Sequence, residues 1–334
     1  RFGRRFVVLP SVGLSALASI VMVFGREELA FLLLGRFLLG VVSGAVFGVS
    51  AAWLQELLGP GNERRAAVLS TLITYAGFGI GPLVSAVFEG WLPEPLVSPF
   101  VFHAFLTALV LPLLLTVPET TTPTTRTTRI RIELGVPEAS KRTFWTVVVP
   151  AAVWVFGFPS ASFALFPVLV SSSIPGAEVA VAAVSGALTA WSALLARPLL
   201  LRAGPERALI VAMFMGTFGY VLGTIAFATD LWPFLLPAAV LLGGASGTLT
   251  AAALALLGAM ADPDSRGALN STFYLLAYPG MAMPIVITAI GSGIGLTRAL
   301  ILVSAVSGLV TLMIGLRHVR SQSVRSTRVE RTVV

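Results

Sequence analysis

The chain contains no cysteine. Disulfides, thiolate nucleophiles and thiolate metal sites are therefore all excluded, and the redox character of the compartment is left unmarked. Histidine is nearly as scarce: His103 and His318 are the two present, and no His pair stands at catalytic or metal-binding spacing. Charged residues make up 11% of the 334 residues, against about 25% in an average soluble domain. No Gly-Lys-Ser/Thr loop is available to cradle a phosphate, and no Asp or Glu lies in the middle of an apolar run. An ATP-driven pump or a membrane hydrolase would need at least one of these features, so no enzyme, cofactor or metal is expected.

What the sequence has in excess is apolar. Hydrophobic residues reach 56% and the mean hydropathy is +0.93, which leaves too little polar surface to cover a water-soluble fold. Apolar runs long enough to cross a bilayer occupy 6–24, 29–54, 66–88, 99–117, 144–170, 178–196, 207–228, 232–259, 268–290 and 296–316. Ten crossings put both ends on one side. Of the 22 Lys and Arg, all but Arg26, Arg298 and Arg36 fall on that side under strict alternation. By the positive-inside rule that side is the cytoplasm. The net charge of +7 thus reads as orientation in a lipid bilayer and implies no nucleic-acid partner.

The pattern also repeats. Gly40-Val41-Val42-Ser43-Gly44 precedes Leu58-Gly59-Pro60, Arg64-Arg65-Ala66 and Gly81-Pro82; Gly243-Gly244-Ala245-Ser246-Gly247 precedes Asp262-Pro263, Arg266-Gly267-Ala268 and Met283-Pro284 in the same order. Parallel halves of this kind are a transporter signature. The repeat pairs the first four runs with the last four and leaves 144–170 and 178–196 without partners. We therefore expect a twelve-helix bundle of which ten helices are seen, with two more preceding Arg1. The expected organisation is an N-terminal half at 1–117, a Thr-rich cytoplasmic linker at 118–143 with too few apolar groups to offset its ordering entropy, a C-terminal half at 144–316, and a solvated basic tail at 317–334.

Three short motifs carry a family resemblance. Arg1-Phe2-Gly3-Arg4-Arg5 resembles the end of the loop between the second and third helices of the major facilitator superfamily. Leu32-x-x-x-Arg36-x-x-Leu39-Gly40 is similar to that family's fourth-helix motif, with Leu39 in place of its glutamine. Gly77-x-x-x-Gly81-Pro82-x-x-Ser85 looks like the fifth-helix motif of its antiporter branches. The physical reading stands beside the resemblance. An arginine inside a span costs about 2.5–3.5 kcal/mol on insertion scales and tends to persist where it pairs or faces water, although Arg36 is near enough to the outer end to snorkel. Glycines one turn apart let helices approach closely, and Pro82 removes an amide donor and bends the helix.

The resemblance implies an all-α membrane protein with an MFS-type helical bundle that carries small organic solutes by alternating access in the plasma membrane. It further implies proton-coupled efflux, with Gly3, Arg4 and Arg5 beside Arg1 at the cytoplasmic gate and Arg36 in transport or coupling. An uptake symporter or uniporter of the same fold, and a shortened relative that does not transport, remain open alternatives. Tyr75, Trp154, Phe158, Asn270, Tyr274 and Tyr278 are the candidate cavity residues, the last three sharing one helix face at spacings of four. Aromatic rings with hydroxyls suit an amphipathic solute. The expected partners are that solute, protons and lipid, and a monomer is expected.

Overall fold

A computed structural model describes residues 3–120, 136, 138–260 and 266–332. Among the described residues there is no strand, and ten helices are long and apolar enough to cross a membrane: α1 (Arg4–Arg26), α2 (Leu29–Leu58), α3 (Val68–Trp91), α4 (Ser98–Thr116), α5 (Lys141–Leu169), α6 (Glu178–Ala196), α7 (Pro205–Ala228), α8 (Trp232–Met260), α9 (Thr272–Ile294) and α10 (Leu296–Arg320). Each expected run is found as a helix, with ends displaced by a few residues. The α10 helix continues through the basic segment to Thr332, because Leu316–Thr332 holds neither glycine nor proline to stop it. Most of the Thr-rich linker, 121–135 and 137, lies outside the described residues.

The chain groups into two compact units, Arg1–Gly77 with Leu83–Arg131, and Phe78–Pro82 with Ile132–Val334. In the first, α1 is the central helix and packs against α2 and α4. Its buried face is Val8, Ser11, Ser15, Ala18, Ser19 and Met22, a stripe at spacings of three and four. These residues are mostly small, so neighbouring backbones come close. The Ser11 hydroxyl is satisfied locally, donating to the Val7 carbonyl at 2.7 Å.

In the second unit α7 is central and packs against α8 and α10, while α8 also packs against α6 and α5. The adjacency of α1 with α2 and α4 is thus repeated by α7 with α8 and α10, the same pairs that the sequence repeat matches. The Gly-x-x-x-Gly of α8 explains its approach to α6. A Cβ on Gly243 would collide with the Thr189 carbonyl, and one on Gly247 with the Ala193 carbonyl. The α7–α10 seam is polar instead: Thr217 Oγ1 meets Ser307 Oγ at 2.7 Å and Thr311 Oγ1 at 3.2 Å.

Within α5, π turns at Phe144–Val148 and Ala161–Leu165 flank Val149–Ser160. Pro159 has no amide to donate to the Val155 carbonyl, and Ser246 Oγ on α8 donates to that oxygen at 2.7 Å. The Gly157 carbonyl accepts from Tyr220 Oη on α7 at 3.0 Å. On the α9 side, Gly280 sits in a 3₁₀ stretch, Tyr278–Ala282, pressed so closely on α5 that a Cβ would strike the Val153 carbonyl. Ser160 Oγ donates to the Gly280 carbonyl at 3.0 Å. Neighbouring helices thus meet the polar demand that the irregular backbone of α5 creates, as hydrocarbon requires.

Candidate functional site

In the first unit the basic residues at the start of α1 converge with two acids. Arg4 grips Glu56 at the end of α2 through Nη2–Oε1 at 2.6 Å and Nε–Oε2 at 3.2 Å, the two-pronged geometry a guanidinium favours. The Glu119 carboxylate accepts the backbone amides of Arg4 and Arg5 at 2.9 Å each. An anion there satisfies orphan amides and suits the positive end of the helix dipole. Gly3 is buried, and a Cβ on it would run into the Glu119 side chain. Arg5 Nη2 reaches the Leu115 carbonyl at 2.6 Å, and the buried Trp53 indole donates to the Pro118 carbonyl at 3.1 Å. The ends of α1, α2 and α4 are thus tied to the first linker residues. Arg1 lies outside the described residues.

Sequence reasoning did not single out Glu56, Glu119 or Trp53. An available signal was Glu56 itself, a lone acid at the end of a run otherwise charged only at Arg36. Arg36 is exposed on α2 and, among the described residues, makes no hydrogen bond or ion pair. Gly77 and Gly81 have open space where a Cβ would stand, whereas Gly79 faces the Trp191 indole and Pro82 lies against Gly186 within the second unit.

The aromatic candidates separate into two groups. Trp154 and Phe158 are buried and belong to a ring cluster with Tyr220 and Phe166: Trp154–Phe158 centroids are 5.3 Å apart, Phe158–Tyr220 5.9 Å and Phe166–Tyr220 5.8 Å. Gly216 and Gly223 on α7 make the room for Phe158 and Phe166. These rings pack α5 onto α7 and face no open space. Asn270, Tyr274 and Tyr278 form a different surface. Asn270 and Tyr278 are exposed and Tyr274 is half-buried. Tyr278 stacks on Phe156 of α5 at 5.4 Å and 17°, and Tyr274 lies 6.5 Å from the same ring. The result is an open aromatic rail with an amide at one end. Tyr75 on α3 is half-buried.

Both histidines also make polar contacts. His103 Nδ1 on α4 lies 2.7 Å from Ser19 Oγ on α1, and His318 Nδ1 on α10 lies 2.7 Å from Glu206 Oε2 on α7. Beside the latter, Arg317 Nη1 donates to the Arg142 carbonyl at 2.9 Å. Among the described residues no three His, Asp or Glu converge as they would to hold a metal ion.

The family model of the Major Facilitator Superfamily matches residues 1–219. Among solved structures the chain is similar to a mutant of the nucleoside transporter NupG, with 12% identity, a TM-score of 0.70, and 94% of this chain and 83% of that one covered. An auto-inhibited peptide transporter of the POT family aligns at 13% identity and a TM-score of 0.69, covering 96% and 82%. The human organic anion transporter MFSD10 (TETRAN) aligns at 17% identity and 0.63, covering 93% and 77%. At these identities the likeness speaks for the fold.

Proposed function

Because the chain belongs to the major facilitator superfamily, we propose that this multi-pass membrane protein is a secondary transporter of small organic solutes, working by alternating access and exchanging solute for protons in the direction of efflux. The observation that carries the reading is the repeated packing of α1 with α2 and α4, and of α7 with α8 and α10, since duplicated units moving against a shared site are how such carriers work. The antiport direction rests on the Gly77, Gly81 and Pro82 motif of α3. Placement in the plasma membrane with both termini in the cytoplasm rests on the distribution of Lys and Arg.

The aromatic rail of Phe156, Tyr274 and Tyr278, with Asn270 beside it, is the solute-binding face, and a flat amphipathic molecule is the solute that fits it. Ring stacking beyond simple burial is worth about 0.5–1.5 kcal/mol. Tyr278→Ala is therefore expected to raise the half-saturation concentration for ethidium or a neutral aromatic alcohol by about 2- to 10-fold in everted vesicles energised with a proton gradient. Trp154→Phe, in the packed cluster, should leave that constant unchanged. Equal effects of both substitutions, or none at Tyr278, would remove the rail from the solute path.

A further inference from the structure

We propose that His103, held on Ser19, is the group that binds and releases the coupled proton, with Nε2 as the receiving atom. The inference rests on the proton-coupled reading above and supplies the titratable group that the sequence lacked among its acids. In the ten spans the described acids stand at the ends: Glu56, Glu89, Glu178 and Glu206. Glu56 is already engaged by Arg4, and His318 stands at the end of α10 against Glu206. His103 lies farther inside a span than any of these, on α4 where that helix packs against α1.

The buried Ser19 hydroxyl donates its one hydrogen to the Ser15 carbonyl at 3.1 Å. With that hydrogen on Ser15, the oxygen is left to accept from an Nδ1–H of His103, whose Nδ1 lies 2.7 Å away. On that arrangement Nδ1 is the protonated nitrogen of the neutral ring and the Nε2 lone pair is the basic site. The residue as a whole is exposed on α4. A proton from water adds to Nε2, giving an imidazolium that keeps its Nδ1–H on Ser19. Loss of the same proton from Nε2 restores the neutral ring, and no other bond changes.

The charged groups on the elements packed against α4 are engaged elsewhere or stand at helix ends. On α1, Arg4 pairs with Glu56, Arg5 binds the Leu115 carbonyl, and Arg26 pairs with Glu94 and Glu27. On α3, which meets α4 through Phe88 and Phe102 at 4.9 Å, Glu89 stands at the end of the span. Among the described residues none of these groups hydrogen-bonds or ion-pairs with the imidazole. A charge on the ring has no compensating partner among the described residues, so its protonation is favoured in whichever transport state lets water reach α4.

The chain has two histidines, so His318→Gln leaves His103 as the single imidazole. In nanodiscs, ¹⁵N-histidine spectra of that variant should show a neutral ring protonated at Nδ1 and a reversible titration within about pH 4–9. Ser19→Ala should redistribute the neutral tautomers. A ring that stays in one protonation state across that range, or a neutral ring protonated at Nε2, overturns the proposal whatever the transport result. In proteoliposomes carrying trapped pyranine, His103→Gln should cut proton-driven ethidium flux at least tenfold while proton-independent ethidium exchange stays within twofold of the unsubstituted protein. Retention of the proton-driven flux overturns the proposal. Loss of exchange in the unsubstituted protein counts instead against the transporter reading, and the spectra still decide the histidine.

Discussion

Gly247→Val is expected to prevent the second unit from folding, while the same change at its repeat counterpart, Gly44, leaves the protein intact. The difference is one of backbone approach. A Cβ on Gly247 would come within 2.6 Å of the Ala193 carbonyl carbon and 2.7 Å of its Cα, so the obstacle is main chain that cannot rotate away. Overfilling a packed contact by even a methyl group costs about 1–3 kcal/mol, and valine adds two further carbons at a seam where close packing replaces the hydrophobic effect as the source of association. Gly44 has nothing within 4 Å of the same point. Fluorescence-detected size exclusion after a heating series should show Gly247→Val aggregated before heating, Gly247→Ala shifted to lower temperature, and Gly44→Val unchanged. Coincident curves for the two valine variants would mean that the α6–α8 contact does not hold the unit together.

Arg36→Ala is expected to abolish solute flux, at least tenfold, without lowering the amount of protein in the membrane. Inserting a guanidinium in a span is unfavourable by about 2.5–3.5 kcal/mol, and in α2 that cost is not offset by any hydrogen bond or ion pair among the described residues. A group retained at a cost to insertion and exposed on its helix is suited to meeting a solute or water rather than to packing. Arg36→Lys keeps the charge and loses the planar fork, so it should restore part of the flux if charge is what the site needs. Uptake measured alongside surface abundance decides the matter. Unchanged flux in the alanine variant would make Arg36 a snorkelling anchor.

Much of this architecture is legible in the sequence because hydrocarbon enforces it. Each helix must carry about twenty apolar residues, so the ten spans follow from hydropathy. The repeated glycines marked α2 and α8 as counterparts before their packing was visible. Chemistry that depends on distant partners was less legible. Trp154 and Phe158 lie four apart on α5, a spacing that is the same whether the rings face a solute or another helix. Their burial against Tyr220 of α7, with Gly216 leaving space for the Phe158 ring, shows that they are core. Glu119 capping Arg4 and Arg5, and Ser19 meeting His103, join positions far apart along the chain through helix contacts that local patterns do not encode. The π turns of α5 were hidden for a related reason: prolines announce a distortion, but the rescue of the Val155 carbonyl by Ser246 depends on where α8 lies.

Counterflow in proteoliposomes tests the transporter account most directly. Vesicles holding purified protein are loaded with an unlabelled aromatic solute, diluted into a trace of the labelled one, and compared with protein-free vesicles, using ethidium, an aromatic alcohol and an aromatic carboxylate in turn. A carrier that exposes one site alternately to each side must give a transient, saturable overshoot of label for at least one of them, with no proton gradient present. Uptake that stays linear in concentration and equal to that of protein-free vesicles for all three would contradict alternating access by this chain.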